Sequence, residues 1–289
     1  IGGGGSDQIG ACAEYANDNG VPYLSAGVQT EGLNQLRGYF ALSMTYAQQA
    51  PLLAQMITAR FAGQSVAVVV AEGENLDDYF NAQLEALQGA GITPVLADRI
   101  PKTTSQSDAL NIATELRASG AQVVVFNASP VSFLNIAAAS QGQGFHPRWV
   151  GPGVTNGLNT VATVGCGAAG SVDGATYFSP FPQLDVIDQV DPDFRPAYQQ
   201  YAGSAPDDLG IALWGLDKLV AAVLTAAGPD VTRQSFVATM ESGQAFETGV
   251  FPPASYSADN HFGGSAVHVL EASCSSRSFR TIGTFVNRF

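Results

Sequence analysis

The sequence is poor in positive charge and in uninterrupted apolar runs. Its 289 residues include 12 Lys and Arg against 25 Asp and Glu, which gives a formal net charge of −13. An acidic surface repels phosphate backbones, so we expect no nucleic-acid partner. No apolar run approaches the ~20 residues needed to span a bilayer. The chain has no initiator Met and no visible signal peptide, so we expect a mature, trimmed or partial chain.

Cysteine is also scarce, with Cys12, Cys166 and Cys274 as the three examples. Three cysteines are too few for a disulfide scaffold, and none lies in a CxxC motif or a Cys/His cluster, so we expect no zinc site. Cys166 and Cys274 both lie in polar, turn-like stretches. Two interpretations stay open: three small buried residues, or a bridge between Cys166 and Cys274, which would fit an exported protein.

The sequence lacks the motifs of common catalytic and cofactor sites. Neither GxSxG nor GxxxxGK[ST] occurs. His146 and His261 lie in predicted turns and His268 in a predicted strand, and none lies four residues from another histidine. Turn or core roles therefore fit all three. An α/β enzyme needs a nucleophile–base pair or a cofactor loop, so we predict no enzyme activity, no catalytic residue, no cofactor and no metal.

The glycine-rich start, IGGGGSDQIG, does not match the dinucleotide-binding fingerprint. GxGxxG requires glycine at its sixth position, which is Asp7 when counted from Gly2 and Gln8 when counted from Gly3. Glycines still allow a ligand to approach the backbone, and a helix start offers a hydroxyl and free N–H groups to an anion. Ser6 could cap the helix predicted to run to about Asn19, contact a ligand, or do both.

Apolar residues make up 46% of the chain and charged residues 13%, a globular composition, and the length suggests about two domains. Strands and helices alternate through the first half. Strands are predicted at 21–27, 66–71, 93–101, 121–129 and 147–153, and helices at 47–61, 77–91, 105–120 and 130–144. This alternation predicts a parallel, doubly wound sheet with right-handed crossovers.

The pattern changes after the stretch GATYFSPFP (174–182), where two prolines interrupt it. Helices are predicted at 193–203, 207–228 and 232–242, and two strands around a polar turn near the end, in SAVHVLEA and FRTIGTFVNRF. The helix at 207–228 carries apolar residues almost all round, so we expect it to be mostly buried.

Several segments, in their order and spacing, resemble type I periplasmic solute-binding proteins. They are IGGGGSDQIGACAEYANDNGVPYLSAGV, VAVVVAEGENLDDYFNAQLEALQGAGITPV, ASGAQVVVFNASPVSFLNIAAASQGQGFHPRWVGPG and PDDLGIALWGLDKLVAAVLTAAG. The resemblance covers essentially the whole chain, and the nearest branch is the leucine/isoleucine/valine type of the ABC importers. In that family the IG…S turn lies inside the mature protein, so the resemblance implies that the first βαβ units are missing here.

The resemblance implies an α/β fold of two lobes, each a doubly wound, mostly parallel sheet flanked by helices, joined by three crossing strands and enclosing the ligand. Lobe one would comprise residues 1–44 and 182–262, and lobe two residues 45–181 and 263–289. The crossings would fall near 42–45, 179–181 and 264–266.

Ligand contacts on the first lobe follow from the same resemblance. Ser6 matches the family serine that receives the ligand carboxylate. Gly27, Val28 and Gln29 match the loop that completes this grip, and Gln29 supplies an amide where the family has a hydroxyl.

On the second lobe, the resemblance places Asn75 and Ser129 near two aromatic residues of the ligand cleft, both lost here. Gly153 stands where the family has the acid that pairs with an amino acid's ammonium. A buried ammonium without a charge partner is costly, so an α-amino acid is not the expected ligand unless Glu72 or Glu74 substitutes. Four aromatic residues could line an apolar cleft or belong to the core: Tyr46, Tyr79, Tyr177 and Phe181.

The resemblance implies a periplasmic or extracellular protein that captures a small polar or carboxylate-bearing molecule by hinge closure and delivers it to an ABC permease. Membrane contact would come only through a lipid anchor on the missing N-terminal part. The alternative is a ligand-sensing domain of a receptor or regulator, because the same fold serves there.

Overall fold

The computed structural model describes the chain except residues 1–5, 28–30, 154–157, 168–169 and 204, and except the side chains of Ser6, Asp7, Glu31, Glu74 and Asn75. The chain divides into two compact units. The first unit comprises Ile1–Thr45, Pro180–His268 and Thr284–Asn287, and the second comprises Tyr46–Ser179, Val269–Gly283 and Arg288–Phe289. Residues 45, 180–181, 263–268 and 284–287, assigned to lobe two on the sequence, group with the first unit.

The helices of the described residues are α1 (Ser6–Asp18), α2 (Tyr46–Arg60), α3 (Glu74–Gly89), α4 (Gln106–Ala118), α5 (Pro130–Gly142), α6 (Leu158–Gly167), α7 (Ile187–Val190), α8 (Phe194–Tyr201), α9 (Asp208–Ala227) and α10 (Arg233–Met240). The strands are β1 (Tyr23–Ser25), β2 (Tyr39–Ala41), β3 (Val66–Ala71), β4 (Leu96–Ile100), β5 (Val123–Asn127), β6 (Arg148–Gly151), β7 (Thr176–Ser179), β8 (Ser242–Phe246), β9 (Ala254–Ser257), β10 (Val267–Ser273) and β11 (Ser278–Val286). A 3₁₀ helix covers Glu31–Gln35.

A seven-stranded sheet forms the centre of the second unit, in the order β11-β10-β7-β6-β5-β3-β4. Every residue of β3 and β5 is buried, and the two strands pair in parallel with Val68 opposite Val125. Such runs of β-branched residues are typical of strands covered on both faces. Helices α4, α5 and α6 contribute to the core with Val124 and Phe126, and α2 packs against α3. The predicted α/β class with a mostly parallel sheet is confirmed.

The described part of the first unit has two two-stranded sheets. Strands β1 and β2 pair in parallel, an isolated parallel bridge joins Ala41 to Phe262, and β8 pairs with β9 in antiparallel fashion. The core between these strands and α9 and α10 is rich in aromatic and branched side chains, including Phe40, Phe181 and Leu219.

Helix α9 corrects one expectation. It is long and apolar enough to span a membrane by length and composition, yet only about a third of its most apolar stretch is buried. Its buried face, with Ile211 and Leu219, belongs to the core of the first unit, whereas Leu209 and Leu213 are exposed. The prediction of a mostly buried helix is wrong, because apolar residues all round do not by themselves create a second packing partner.

Cys166 in α6 and Cys274 after β10 form a disulfide whose Cα atoms lie 5.0 Å apart, 108 residues apart in sequence. Both residues belong to the second unit. Of the two open interpretations, the bridge is the one the structure contains, while Cys12 is free and exposed. A disulfide fits an oxidising compartment.

We expect the double variant Cys166→Ser/Cys274→Ser to lower the free energy of unfolding of the second unit by about 4 kcal/mol, because opening a loop of this length restores chain entropy to the unfolded state. Urea unfolding of the oxidised and variant proteins measures it. Cys12→Ser is the matched control and should leave the transition in place. An equal loss in both variants would contradict the assignment of the effect to the bridge.

Candidate functional site

The carboxyl edge of the second unit's sheet brings three predicted contact positions together. Strands β6, β5 and β3 are neighbours, and Gly153, Ser129 and Asn75 follow their carboxyl ends. Helices α3, α4, α5 and α6 begin at this edge because each follows a parallel strand, and α2 begins there because it leads into β3. Open parallel sheets bind ligands outside the carboxyl ends of their strands, and helix N-termini carry partial positive charge.

Gly153 is buried, and its backbone is hydrogen-bonded to a side chain of α2. Its backbone N–H donates to Oε1 of Gln49 at 2.5 Å, and Gln49, on the first turn of α2, is only 3% exposed. A Cβ at position 153 would lie 3.0 Å from this same oxygen and 3.5 Å from the carbonyl oxygen of Phe178. Gln49 therefore occupies the space into which a side chain at 153 would extend.

Ser129 is exposed and caps α5, since its Oγ accepts the N–H of Ser132 at 3.2 Å. Asn75 is the second residue of α3, and its side chain lies outside the described part. Asn127, which ends β5, is 6% exposed, and its Nδ2 has no hydrogen-bond partner. It lines a cavity of about 20 Å³ together with Tyr177, whose hydroxyl is also unpartnered.

The first unit positions Gly27 at the carboxyl end of β1. Its N–H donates to the Ser25 hydroxyl at 3.2 Å, and its carbonyl oxygen accepts from Ser25 Oγ at 2.7 Å and from Tyr39 Oη at 3.4 Å. Hydroxyl groups of β1 and β2 therefore fix the backbone position of Gly27. Val28 and Gln29 lie outside the described residues. Helix α1 begins at Ser6, whose side chain is likewise outside them.

Three of the four aromatic candidates belong to the cores. Tyr79, Tyr177 and Phe181 are each at most 3% exposed, and burial raises the pKa of both tyrosine hydroxyls above the ordinary range. Tyr46 is partly exposed and packs edge-on against Tyr79, with ring centroids 5.9 Å apart.

Gln49 was missed on the sequence although a signal exists. The buried side of α2 carries Leu52, Leu53, Met56 and Ile57, and Gln49 lies one turn earlier on that same stripe. A polar residue on a buried stripe needs a partner, which the Gly153 N–H provides.

A cavity of about 420 Å³ lies at the amino ends of β1 and β2, in the first unit. Arg37 and Arg233 line it, together with residues of the segment from Asn17 to Pro22. This is the opposite edge of the sheet from Gly27, so the cavity is not the predicted ligand site.

In the described part of the chain, His, Cys, Asp and Glu side chains form no group of three or more that could hold a metal ion. The histidines have turn or core partners, as predicted. His146 contacts Gln141, and the buried His261 bonds to the carbonyl oxygen of Leu36 and to Glu241.

A family model described as periplasmic binding protein matches residues 1–277. The chain belongs to the periplasmic binding protein family. A search of curated protein sequences found no significant match.

Solved structures share the fold at low sequence identity. A fatty acid ABC transporter substrate-binding protein from Thermomonospora curvata aligns with a TM-score of 0.79 at 15% identity, covering 98% of this chain and 73% of that one. A branched chain amino acid ABC transporter protein from Thermus thermophilus with bound valine aligns at 0.76 and 15%, covering 96% and 75%. A solute binding protein from R. palustris in complex with benzoate aligns at 0.74 and 18%, covering 96% and 74%.

The third histidine of this periplasmic binding protein is fully buried. Nε2 of His268 donates to the carbonyl oxygen of Val250 at 3.1 Å, its ring packs on Phe285 with centroids 4.8 Å apart, and Nδ1 has no partner. Burial lowers the pKa of His268 to about 4 from the ordinary 6.5, because protonation would place a charge and an orphan N–H in the core.

The unfolded chain therefore binds a proton at His268 at a pH where the folded chain does not. We expect the free energy of unfolding to fall as the pH drops from about 6.5 towards 4, with His268 contributing about 3 kcal/mol of that loss. His268→Gln keeps an N–H donor and should flatten this window in urea unfolding at several pH values. The exposed His146→Gln is the control, and identical pH profiles for all three proteins would contradict the prediction.

Proposed function

We propose that this chain is the solute-binding component of an ABC importer. It binds a small polar or carboxylate-bearing solute, an amino acid or a related compound, and delivers it to the permease. The observation that carries the proposal is the family match over residues 1–277. Solved proteins of the same fold bind ligands as different as valine and benzoate, so the fold alone leaves the solute class open.

The carboxyl edges of the two units support this proposal. On the second unit, helices α2 to α6 begin at the edge where Ser129 and Gly153 lie, and the partial positive charge of helix N-termini favours an anionic or acceptor group of a solute. On the first unit, Ser6 begins α1 and Gly27 follows β1, which gives the same combination of helix start and strand end.

In this proposal the chain performs no chemistry, and transport depends on binding and release alone. The Cys166–Cys274 disulfide supports action outside the cytoplasm. Attachment to a membrane surface, where it occurs, is through lipid and not through α9, because the buried face of α9 belongs to the core of the first unit.

A thermal-shift screen of amino acids, amides, hydroxy acids, aromatic acids and fatty acids tests the proposal. A solute at about 100 times its Kd should raise the melting temperature by about 5 °C, since it binds only the folded state. Permease-dependent uptake of the same solute separates an importer component from a sensing domain. No shift with any of these classes would contradict the proposal.

Ser129 offers a test of the β5 and β6 ends, and its matched control is Ser105, which follows β4 two strands further along the same edge. Ser129 caps α5 and Ser105 caps α4 in the same way, each accepting an N–H three residues later. We expect alanine at either position to cost about 1 kcal/mol of stability through the lost cap. Only Ser129→Ala should also weaken binding of the strongest solute, by about three- to tenfold in calorimetry. If Ser129→Ala and Ser105→Ala bind the solute with the same affinity, Ser129 does not contact the solute.

A further inference from the structure

The cavity of about 420 Å³ in the first unit lies apart from the candidate solute site. It is at the amino ends of β1 and β2, whereas Gly27 lies at the carboxyl end of β1. Its volume falls within the range of small-molecule pockets, which is about 300–1,000 Å³. The chemistry of the residues that line it therefore indicates which class of molecule it fits.

The lining of this cavity is positive in a chain that is acidic as a whole. Arg37 and Arg233 line it, and of the described residues around it none is Asp or Glu, although the chain holds 25 acidic residues and only 12 Lys and Arg. Asn17 and Gln234, which carry side-chain amides, line it as well. An anion in this cavity therefore meets cations and amides without a carboxylate from the lining residues.

Neither of these two arginines is neutralised by a carboxylate in the described part of the chain. Other arginines pair with acids, for example Arg60 with Glu271 at 2.8 Å. Arg233 instead donates from Nη1 to the carbonyl oxygen of Asn19 at 3.3 Å, which places its guanidinium at the cavity wall because Asn19 also lines the cavity. Arg37 is exposed and has no hydrogen-bond or ion-pair partner among the described residues. A guanidinium has five N–H donors, so both side chains have donors available for a ligand.

One wall of the cavity is the turn that ends α1. Gly20 has a φ of +60°, its N–H donates to the carbonyl oxygen of Asn17 at 3.0 Å, and the N–H of Val21 donates to the carbonyl oxygen of Ala16 at 2.8 Å. These two bonds form a Schellman motif. A helix C-terminus carries partial negative charge, but hydrogen bonds already use the carbonyl oxygens of Ala16, Asn17 and Asn19. Their repulsion of an anion is therefore reduced, and the wall is ordered before a ligand binds.

The other wall holds Arg37 close to this turn. The N–H of Tyr23 donates to the carbonyl oxygen of Gly38 at 2.7 Å, and a Cβ at Gly38 would lie 3.1 Å from the carbonyl oxygen of Val21. Glycine at 38 thus lets the two chain segments approach closely. Arg37 directly precedes this glycine, and Arg233 is the first residue of α10, so both arginines project from ordered backbone. Two guanidinium groups held in this way can each bind one carboxylate, or bind one phosphate together.

We propose that this cavity is a second binding site, for a small organic anion with at least two negative charges. Arginine recognises carboxylate and phosphate through paired N–H donors, so a dicarboxylate and a phosphate monoester share the required chemistry. The volume leaves room for a carbon skeleton beside the charged groups. The inference goes beyond the proposed solute-binding function and does not depend on it, because no predicted solute contact is among the residues that line the cavity.

Matched probe pairs test the inference on the unmodified chain by calorimetry at constant ionic strength. Succinate is paired with butanoate, which lacks the second carboxylate, and glycerol 3-phosphate is paired with glycerol. We expect the dianion of at least one pair to bind at least about tenfold more tightly than its partner, because only the dianion engages both arginines. The pair that shows the difference tells a carboxylate ligand from a phosphate ligand.

Substituting Arg37→Gln gives the second measurement. Arg37 is exposed, so its replacement should leave the fold intact, which circular dichroism checks. We expect the variant to bind the tighter dianion at least about tenfold more weakly, because a charge-assisted contact is lost. Arg117→Gln removes the same charge from the exposed last turn of α4 in the second unit, so it is the matched control and should leave the affinity unchanged.

The outcomes separate this inference from the proposed function. If neither dianion binds more tightly than its partner, or if Arg37→Gln and Arg117→Gln have equal effects, the inference is overturned. Weaker binding of the dianion by Ser129→Ala would also overturn it, because the dianion would then lie at the carboxyl edge of the second unit. In each of these cases the thermal-shift screen and the Ser129 variants still decide the proposed function on their own.

Discussion

The parallel pairing of β3 with β5 is the constraint on which the second unit depends. Both strands are buried along their whole length, so water cannot satisfy their backbone groups and each must bond to a neighbouring strand. The chain can then turn only beyond the two ends of these strands. The carboxyl edge consequently collects the loops after β3, β5 and β6 together with the starts of the helices, and the candidate site is a result of this arrangement.

Close packing explains the two glycines at and just after the end of β6. A Cβ at Gly151 would overlap the Tyr177 ring and lie 2.5 Å from the carbonyl oxygen of Phe126, so the strand end is held close to its neighbour. Two residues later, Gly153 leaves room for Gln49. A side chain at 153 would have to displace a buried amide that already has a partner. The glycine at 153 is therefore part of the packing of this edge.

Strong periodicity made much of the fold predictable. The strand at 66–71 was predicted at its observed bounds, and the helix at 207–228 differs from α9 by one residue at each end. Strand β7 was missed because its four residues directly precede Pro180 in an irregular stretch, and α6 because its glycine-rich end lacks a 3.6-residue pattern. Asn75, Ser129 and Gly153 were placed by the family resemblance and not by periodicity, and the bond from Gly153 to Gln49 joins residues 104 positions apart, which no local pattern reveals.

Net charge and local recognition act over different distances in this protein. A carboxylate approaching a chain of net charge −13 is repelled, but salt screens exposed charges beyond about 8–10 Å, so the repulsion acts mainly on the rate of encounter. Helix N-termini at the carboxyl edge act over a shorter range, because the effect of the helix dipole falls off within the first turn. The acidic surface is therefore compatible with helix N-termini that favour an acceptor group: the surface charge acts on the rate of encounter, and the N-termini act at contact.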